Sequence, residues 1–538
     1  VSSPWPDVVV PEVNLADYVW ENVEHHAAND ALVCGMSGRS YSYAVAHSVS
    51  KKFGSALLRM GAKKGDVIGM VLPNIPEFPL VFLGAAGVNV SVTTMNPTYR
   101  PEELAKQLEN SGAKYIVTLS MFLQNVKQAC DIYGKMEKII IIGEEKAPDG
   151  CESFLQMIHG EDGSLYGLDK SCDPHTDIVA LPYSSGTTGP PKGVCLSHYN
   201  LVANIEQTLA PGIMPIVEYK DCGVQETNLA VLPFFHIYAM CLVMLFNLRA
   251  GHKLVTLPKF EPESFLKALV THKPTFLNLV PPLVSFLATN PVVKPSHLSS
   301  VTFVTGGAAP FGPALIEQFM EKIQPNVIAF REGFGMTECS PLCHIQPAEG
   351  AVLGACGCPT PNTIAKIVDL ETGEALGPGE QGELCVSGPQ VMMGYYNNQS
   401  ATEKTVVDGW LMTGDIAIYD ETKQFTIVDR LKELIKVKGL QVAPSELEDL
   451  IRRHSGVLDV AVVGVPDERA GELPRAYVVR KNRNVSEQSI IDYVAERVSA
   501  HKKLGAGVMF VETLPKNQTG KVLRRELKAQ VFKGSFGY

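Results

Sequence analysis

The stretch VIGMVLPNIPEFPLVFLGAAGVNVSVTTMNPTYRPEELAKQLENSGAKYIVT, Val67–Thr118, alternates two kinds of segment. Val67–Leu72 is a continuous apolar run, which suits a strand covered on both faces. A helix candidate follows Pro73, and Val88–Thr94 reads as a second strand. Pro101 then opens another helix, whose Leu104 and Leu108 share a face and which Gly112 stops. The strand YIVT, Tyr115–Thr118, follows directly. Strands joined through helices run parallel, because each crossover returns the chain to the same end of the sheet. The stretch therefore predicts an α/β fold with a doubly wound, mostly parallel sheet.

Further along, the same alternation resumes as VLPFF (Val231–Phe235), a buried helix, KLVTL, a helix, FLNLV and VTFVTGG (Val301–Gly307). Near Asp429 the composition changes. The elements become shorter and more charged: LIKVKG, a helix Pro444–His454, DVAVVGV, RAYVV, a helix around Ile490–Val498, VMFVE, and a basic tail Lys521–Lys533. A chain of 538 residues is also too long for one core, since single cores stop growing near about 250–300 residues. We read a large multi-layer N-terminal domain over residues 1–430 and a small α+β domain over residues 431–538, joined through DRLK. No repeat of solenoid length is visible.

Apolar residues make up 45% of the chain and charged residues 19%, the balance of a soluble globular protein. A net charge of −10 argues against a general binder of nucleic acid or of membrane surfaces. The 12 cysteines are scattered, with no CxxC pair and no spacing suited to zinc, which predicts reduced thiols. Ile237–Leu248 is the best membrane candidate but is too short to span, and so reads as a buried helix. The start VSSPWPDVVVPE lacks the pattern of a secretory leader, and GSFGY at the end is not a peroxisomal SKL-type signal. A cytosolic setting is the expectation, with monomer and homodimer both open.

A second stretch carries the chemistry. YSSGTTGPPKG, Tyr183–Gly193, packs hydroxyls, glycines and a terminal lysine between strand-like runs at Ile178–Pro182 and Gly193–Leu196. Such clusters are ordinarily surface linkers. Tight strands on both sides and a single lysine fit an anion-binding loop better, with backbone N–H groups and Lys192 facing phosphate. It is not a Walker A loop, because Pro191 and Gly193 flank Lys192 where that loop has Gly and Ser/Thr.

SSGTTGPPKG resembles the phosphate loop of the adenylate-forming superfamily, which holds acyl-CoA synthetases, 4-coumarate–CoA ligases, beetle luciferases and peptide-synthetase adenylation domains. Further motifs extend the resemblance over nearly the whole chain, and VDRLKELIKVKG and PFFHIYAM are closest to the 4-coumarate–CoA ligase and luciferase-like branch. It implies a large N-terminal part, a small mobile C-terminal lid, and a two-step reaction that uses ATP, Mg²⁺ and coenzyme A. An acid and ATP first give acyl-adenylate and pyrophosphate, and CoA then takes the acyl group and releases AMP.

Residue by residue, the resemblance implies that Ser184, Ser185, Gly186, Thr187, Thr188 and Lys192 hold the phosphates. Glu338 and Thr188 would take the metal. Glu332, Gly333, Phe334 and Thr337 would meet the nucleotide, with Phe334 as the aromatic platform and Lys259 counted among these contacts. The family commonly has glutamine at Glu332 and tyrosine at Phe334. Asp415 of TGD would read both ribose hydroxyls, which suits a carboxylate accepting two O–H bonds, with Arg430 beside it. His236 would lie beside the substrate carboxylate, and Tyr238, Leu242, Gly307, Ala308, Pro341 and Leu342 would form the acyl pocket. Lys432 would be the hinge, Lys436 and Gln441 would serve the thioester step, and Lys438-Gly439 would line the CoA channel. Lys521 would be the adenylation lysine, stabilising charge where the carboxylate attacks the α-phosphate.

Leu242, Glu332 and Ser387 depart from the plant 4-coumarate–CoA ligase pattern. A hydroxycinnamate or related aryl acid is the expected substrate, with a fatty acyl-CoA synthetase or a luciferase as alternatives. A peptide-synthetase adenylation domain would usually be followed by a carrier domain. A non-catalytic nucleotide-binding protein would be expected to have lost the phosphate loop or Lys521, and both are present.

Overall fold

The computed structural model describes residues 1–167, 171–184, 191–323, 329–438, 440–467, 469–482, 484–517 and 520–534. Strand Val67–Val71 is buried along its length and lies between parallel neighbours Ser91–Met95 and Tyr115–Leu119. Helices Glu77–Ala86 and Pro101–Ser111 make the crossovers. Gly112 ends the second helix at φ 66, its N–H bonded to the Leu108 carbonyl, a conformation that the missing Cβ allows.

Among the described residues these strands belong to a 9-stranded sheet, parallel from Ile178–Ala180 through to Cys151–Ser153. Lys192–Ser197 and Gly394–Tyr395 extend it antiparallel at one edge. A second 9-stranded sheet is parallel from Asp30–Cys34 through Lys253–Thr256, Thr227–Ala230, Phe276–Leu279 and Phe303–Gly306 to Ala329–Gly335. A third, antiparallel sheet includes Trp410–Tyr419 and Phe425–Arg430. One apolar cluster from Leu15 to Phe425 joins these three sheets.

A separate cluster, from Ile435 to Val508, underlies a 5-stranded sheet formed by Ile435–Val437, Leu440–Val442, Val457–Asp467, Gly471–Arg480 and Val508–Phe510. The chain passes from the third sheet to this one between Arg430 and Ile435. The resulting architecture is the expected one, a large α/β part with mostly parallel sheets and a small α+β part.

One expected strand lies elsewhere. VLPFF is not extended ladder; the strand is the preceding Thr227–Ala230. Pro233 has no N–H to give a ladder, and Asn74 takes over the backbone groups instead. Its amide donates to the carbonyls of Ala230 at 3.1 Å and Leu232 at 2.7 Å, and its oxygen accepts the Phe234 N–H at 2.8 Å. The buried run Ile237–Leu248 is helical as expected, with a π-helix Ala239–Leu245 leading into Phe246–Arg249. Among the described residues no helix is long and apolar enough to cross a membrane. All 12 cysteines are free thiols.

Candidate active site

Strand Phe303–Gly306 delivers Gly307 and Ala308 to the carboxyl end of the second sheet, where open parallel sheets bind ligands. A cavity there is lined by His236, Tyr238 and Ala308 together with Leu232 and Val280. His236 Nδ1 accepts the Tyr238 N–H at 3.3 Å, so the neutral ring carries its proton on Nε2. Burial, and then the charge of Lys521, push the His236 pKa down to about 4. The Tyr238 hydroxyl lies 3.3 Å from Thr305 Oγ1, to which Asn278 also donates at 2.8 Å, and burial lifts this phenol to about 12.

A Cβ on Gly307 would stand 3.3 Å from the Tyr238 ring and 3.5 Å from the Gly333 carbonyl. One on Gly333 would stand 2.9 Å from Leu342, and one on Gly335 would overlap the Pro341 carbonyl. Tyr238, Gly307, Gly333 and Leu342 are thus packed in sequence, with Pro341 beside Gly335. Leu242 is buried in the π-helix a turn beyond Tyr238, within the apolar core.

Glu338 is buried on the short 3-10 helix Thr337–Cys339. Its Oε1 accepts the Ser184 hydroxyl at 3.0 Å and the Tyr395 hydroxyl at 2.8 Å. Lys192 pairs with Ser184 in the antiparallel register, and its ammonium stands 4.6 Å from the centre of the Tyr395 ring. Thr337, partly exposed, opens the same short helix. Ser185, Gly186, Thr187 and Thr188 lie outside the described residues. A buried carboxylate with a hydroxyl beside it suits a hard cation, and the lysine held to one side suits phosphate rather than the cation.

Asp415 and Arg430 are cross-strand partners, with Arg430 Nε 3.2 Å from Asp415 Oδ1. Asp415 Oδ2 is buried with no hydrogen-bond partner. Burial raises this carboxyl, against the opposing pull of Arg430 and Lys521. Phe334, partly exposed, meets His344 edge-on at 6.0 Å. Glu332 is 6% exposed, and its Oε1 accepts the Phe311 N–H at 3.2 Å while Oε2 has no partner. Burial pushes this carboxyl up to about 7.

The lysine of the C-terminal part reaches the same place. Gly520, at φ +80, packs so closely that a Cβ would overlap Pro282 of the large part. Lys521 follows, its N–H donating to Asn517 Oδ1 at 2.9 Å. Its ammonium interacts electrostatically with Arg430, Asp415 and Glu433, and burial together with Arg430 lowers it to about 8.

Other expected residues lie outside this cluster. Lys436 and Gln441 are register partners, both exposed, on the hairpin of Ile435–Val437 with Leu440–Val442. Lys438 is exposed at its turn, with φ 51 and its N–H on the Ala470 carbonyl at 2.7 Å. Gly439 lies outside the described residues. Exposed Lys432 acts electrostatically on Glu383. Lys259 is a surface residue whose ammonium lies 2.6 Å from Glu261. Sequence reasoning missed Tyr395 and Pro282, which belong to no recognisable motif and meet the site only through sheet register and packing, and it gave no role to Thr305 within VTFVTGG.

The AMP-binding enzyme family matches residues 19–396. The AMP-binding enzyme C-terminal domain matches residues 446–521. The chain is 39% identical over 541 residues to 4-coumarate–CoA ligase 3 of Oryza sativa subsp. japonica, covering 99% of this chain and 95% of that protein. The ATP-bound crystal structure of MatB from Rhodopseudomonas palustris is 25% identical and covers 98% of this chain and 100% of its own, at a TM-score of 0.87. The apo structure of MatB, with the same identity and coverage, gives 0.76.

Proposed function

This chain belongs to the AMP-binding enzyme family, and from that premise we propose how its residues divide the work of an ATP-dependent, AMP-forming acid–CoA ligase. The proposed substrate is a hydroxycinnamate or related aryl acid, on the strength of the 4-coumarate–CoA ligase relative. The observation that carries the site assignment is Lys521, brought by Gly520 against Pro282 and into the field of Asp415 and Arg430.

In the first step His236 donates from Nε2 to the acid's carboxylate and holds it beside Ala308. The acid is already ionised at neutral pH, so no general base is needed. Its oxygen attacks the α-phosphorus of ATP and pyrophosphate leaves. Lys521 supplies the positive charge where negative charge accumulates. Asp415 accepts the ribose hydroxyls, using the oxygen that has no protein partner. Glu338 would hold Mg²⁺, which when bound neutralises phosphate charge, and Ser184 and Lys192 would take the leaving phosphates.

In the second step the CoA thiol attacks the acyl carbonyl and AMP leaves. Lys436, Gln441 and Lys438 would serve this step, and all three are exposed in the arrangement that half-buries Lys521. A lid comprising residues 431–538, turning about Lys432 relative to a body of residues 1–430, would exchange the two sets. The better fit to ATP-bound than to apo MatB supports reading this arrangement as the adenylating one. We place the enzyme in the cytosol.

The test is CoA-dependent AMP release with Mg·ATP across 4-coumarate, caffeate, cinnamate, benzoate, hexanoate, laurate and palmitate. Fastest turnover is expected on the hydroxycinnamates. Turnover confined to the alkyl acids would overturn the substrate assignment, and AMP from none would overturn the activity.

A further inference from the structure

Tyr395 has no part in the reaction as derived above, yet it touches both charged groups of the phosphate and metal site. It sits on Gly394–Tyr395, the edge strand beside Lys192–Ser197, directly opposite Val194. Lys192 is two residues from Val194 on the same face, so it is the diagonal neighbour of Tyr395, within reach of a large side chain. The segment is pinned on both sides. The Met393 and Tyr396 N–H groups bond the carbonyls of Cys195 and Gly193, and the Met392 N–H bonds the Glu338 carbonyl.

The result is a three-part contact. The Lys192 ammonium lies over the ring face at 4.6 Å, and the hydroxyl at the ring's edge donates to Glu338 Oε1 at 2.8 Å. Tyr395 as a whole is 9% exposed. An O–H that donates to an anion pushes electron density into its ring, and a richer ring attracts a cation more strongly, so the two contacts reinforce each other.

We propose that Tyr395 is a positioning residue which keeps Lys192 and Glu338 from pairing with each other. A direct ion pair would spend the phosphate's lysine on the metal's carboxylate. Tyr395 gives each charge a separate partner instead. The ammonium can leave a ring face for a phosphate more easily than it could leave a carboxylate, and the bond at Oε1 fixes the carboxylate's orientation toward a cation. This rests on the assignment of Glu338 and Lys192 given under the proposed function.

The experiment compares the full-length wild type with Tyr395→Phe and Tyr395→Leu. The probe is Mn²⁺ with ATP, its binding followed by electron paramagnetic resonance, beside KM for acid and for Mg·ATP in pyrophosphate exchange. Tyr395→Phe keeps the ring and loses the hydroxyl, so Mn²⁺·ATP affinity should fall about tenfold, the low end for losing a partner behind a metal ligand, with acid KM unchanged. Tyr395→Leu frees Lys192 to reach Glu338 and should weaken Mn²⁺ binding further. Adding Lys192→Met to Tyr395→Leu should recover part of the Mn²⁺ affinity, which a merely structural role for Tyr395 does not predict. Unchanged Mn²⁺·ATP binding by Tyr395→Phe, or equal losses for metal and acid, would overturn the proposal. A wild type that binds no Mn²⁺·ATP would instead overturn the assignment of the site itself.

Discussion

Asp415 and Arg430 face each other across two antiparallel strands, with Arg430 Nε 3.2 Å from Asp415 Oδ1 while Asp415 Oδ2 is buried without a partner. A carboxylate held by one oxygen and open at the other suits a diol that arrives with the nucleotide. Hydrogen bonds to charged groups contribute about 1.5–3 kcal/mol each. Asp415→Ala should therefore weaken nucleotide binding about 10- to 100-fold in titration calorimetry and leave acid KM nearly unchanged. Equal affinity in the variant would remove Asp415 from the nucleotide site.

Lys521 gives the adenylation step a pH dependence. Burial and the nearby Arg430 charge lower its pKa to about 8 from the usual 10.5. The cation is needed, and it exists below that value. The rate of pyrophosphate exchange should thus fall as pH rises through about 8. Lys521→Arg, which stays charged, should flatten the fall, and Lys521→Ala should cost about 10²–10³ in rate at neutral pH. A wild-type profile flat to pH 10 would contradict the role.

Gly520 separates the two half-reactions. At φ +80, with no room for a Cβ beside Pro282, it accepts a side chain only if the Lys521 turn moves off the large part. Gly520→Ala should slow adenylate formation by at least tenfold, about 1.4 kcal/mol or more. Thioester formation from a synthetic acyl-adenylate and CoA should stay within about twofold, because that step would use the exposed Lys436 and Gln441 face. Equal losses in both assays would mean that the C-terminal part does not exchange faces.

Much of this was legible in the sequence, for physical reasons. Continuous apolar strands and a Pro-to-Gly helix mark the parallel sheet locally, so Val67–Thr118 reads correctly without tertiary information. VLPFF misleads because its apolarity is that of a strand, while Pro233 and a side chain from Asn74, far away in sequence, decide its backbone. Asp415 and Arg430 are readable through their motifs, but their opposition depends on register. Leu242 came from the resemblance, and a resemblance does not say how deep a π-helix runs into the core. Tyr395 and Pro282 carry no pattern of their own, since their importance lies wholly in what packs against them.

Glu332 stands where the resembled family commonly has glutamine, and its burial accounts for how an acid is accommodated there. The carboxyl is 6% exposed, it receives the Phe311 N–H, and Cys356 is its titratable neighbour. Burial raises its pKa from 4.5 to about 7, so near and below neutral pH the folded protein holds a neutral carboxylic acid, close in shape and polarity to glutamine. The sign follows from linkage. Between 4.5 and about 7 the unfolded chain has released this proton and the folded chain has kept it, so stability falls as pH rises through that window and stays lower above it. The penalty at pH 8 is on the order of 3 kcal/mol. Glu332→Gln keeps the acceptor for Phe311 and cannot ionise. Its melting temperature should match the wild type near pH 5 and exceed it at pH 8, with nucleotide affinity retained at both. A variant that melts lower at pH 8 would mean that the charged form is the one this site stabilises.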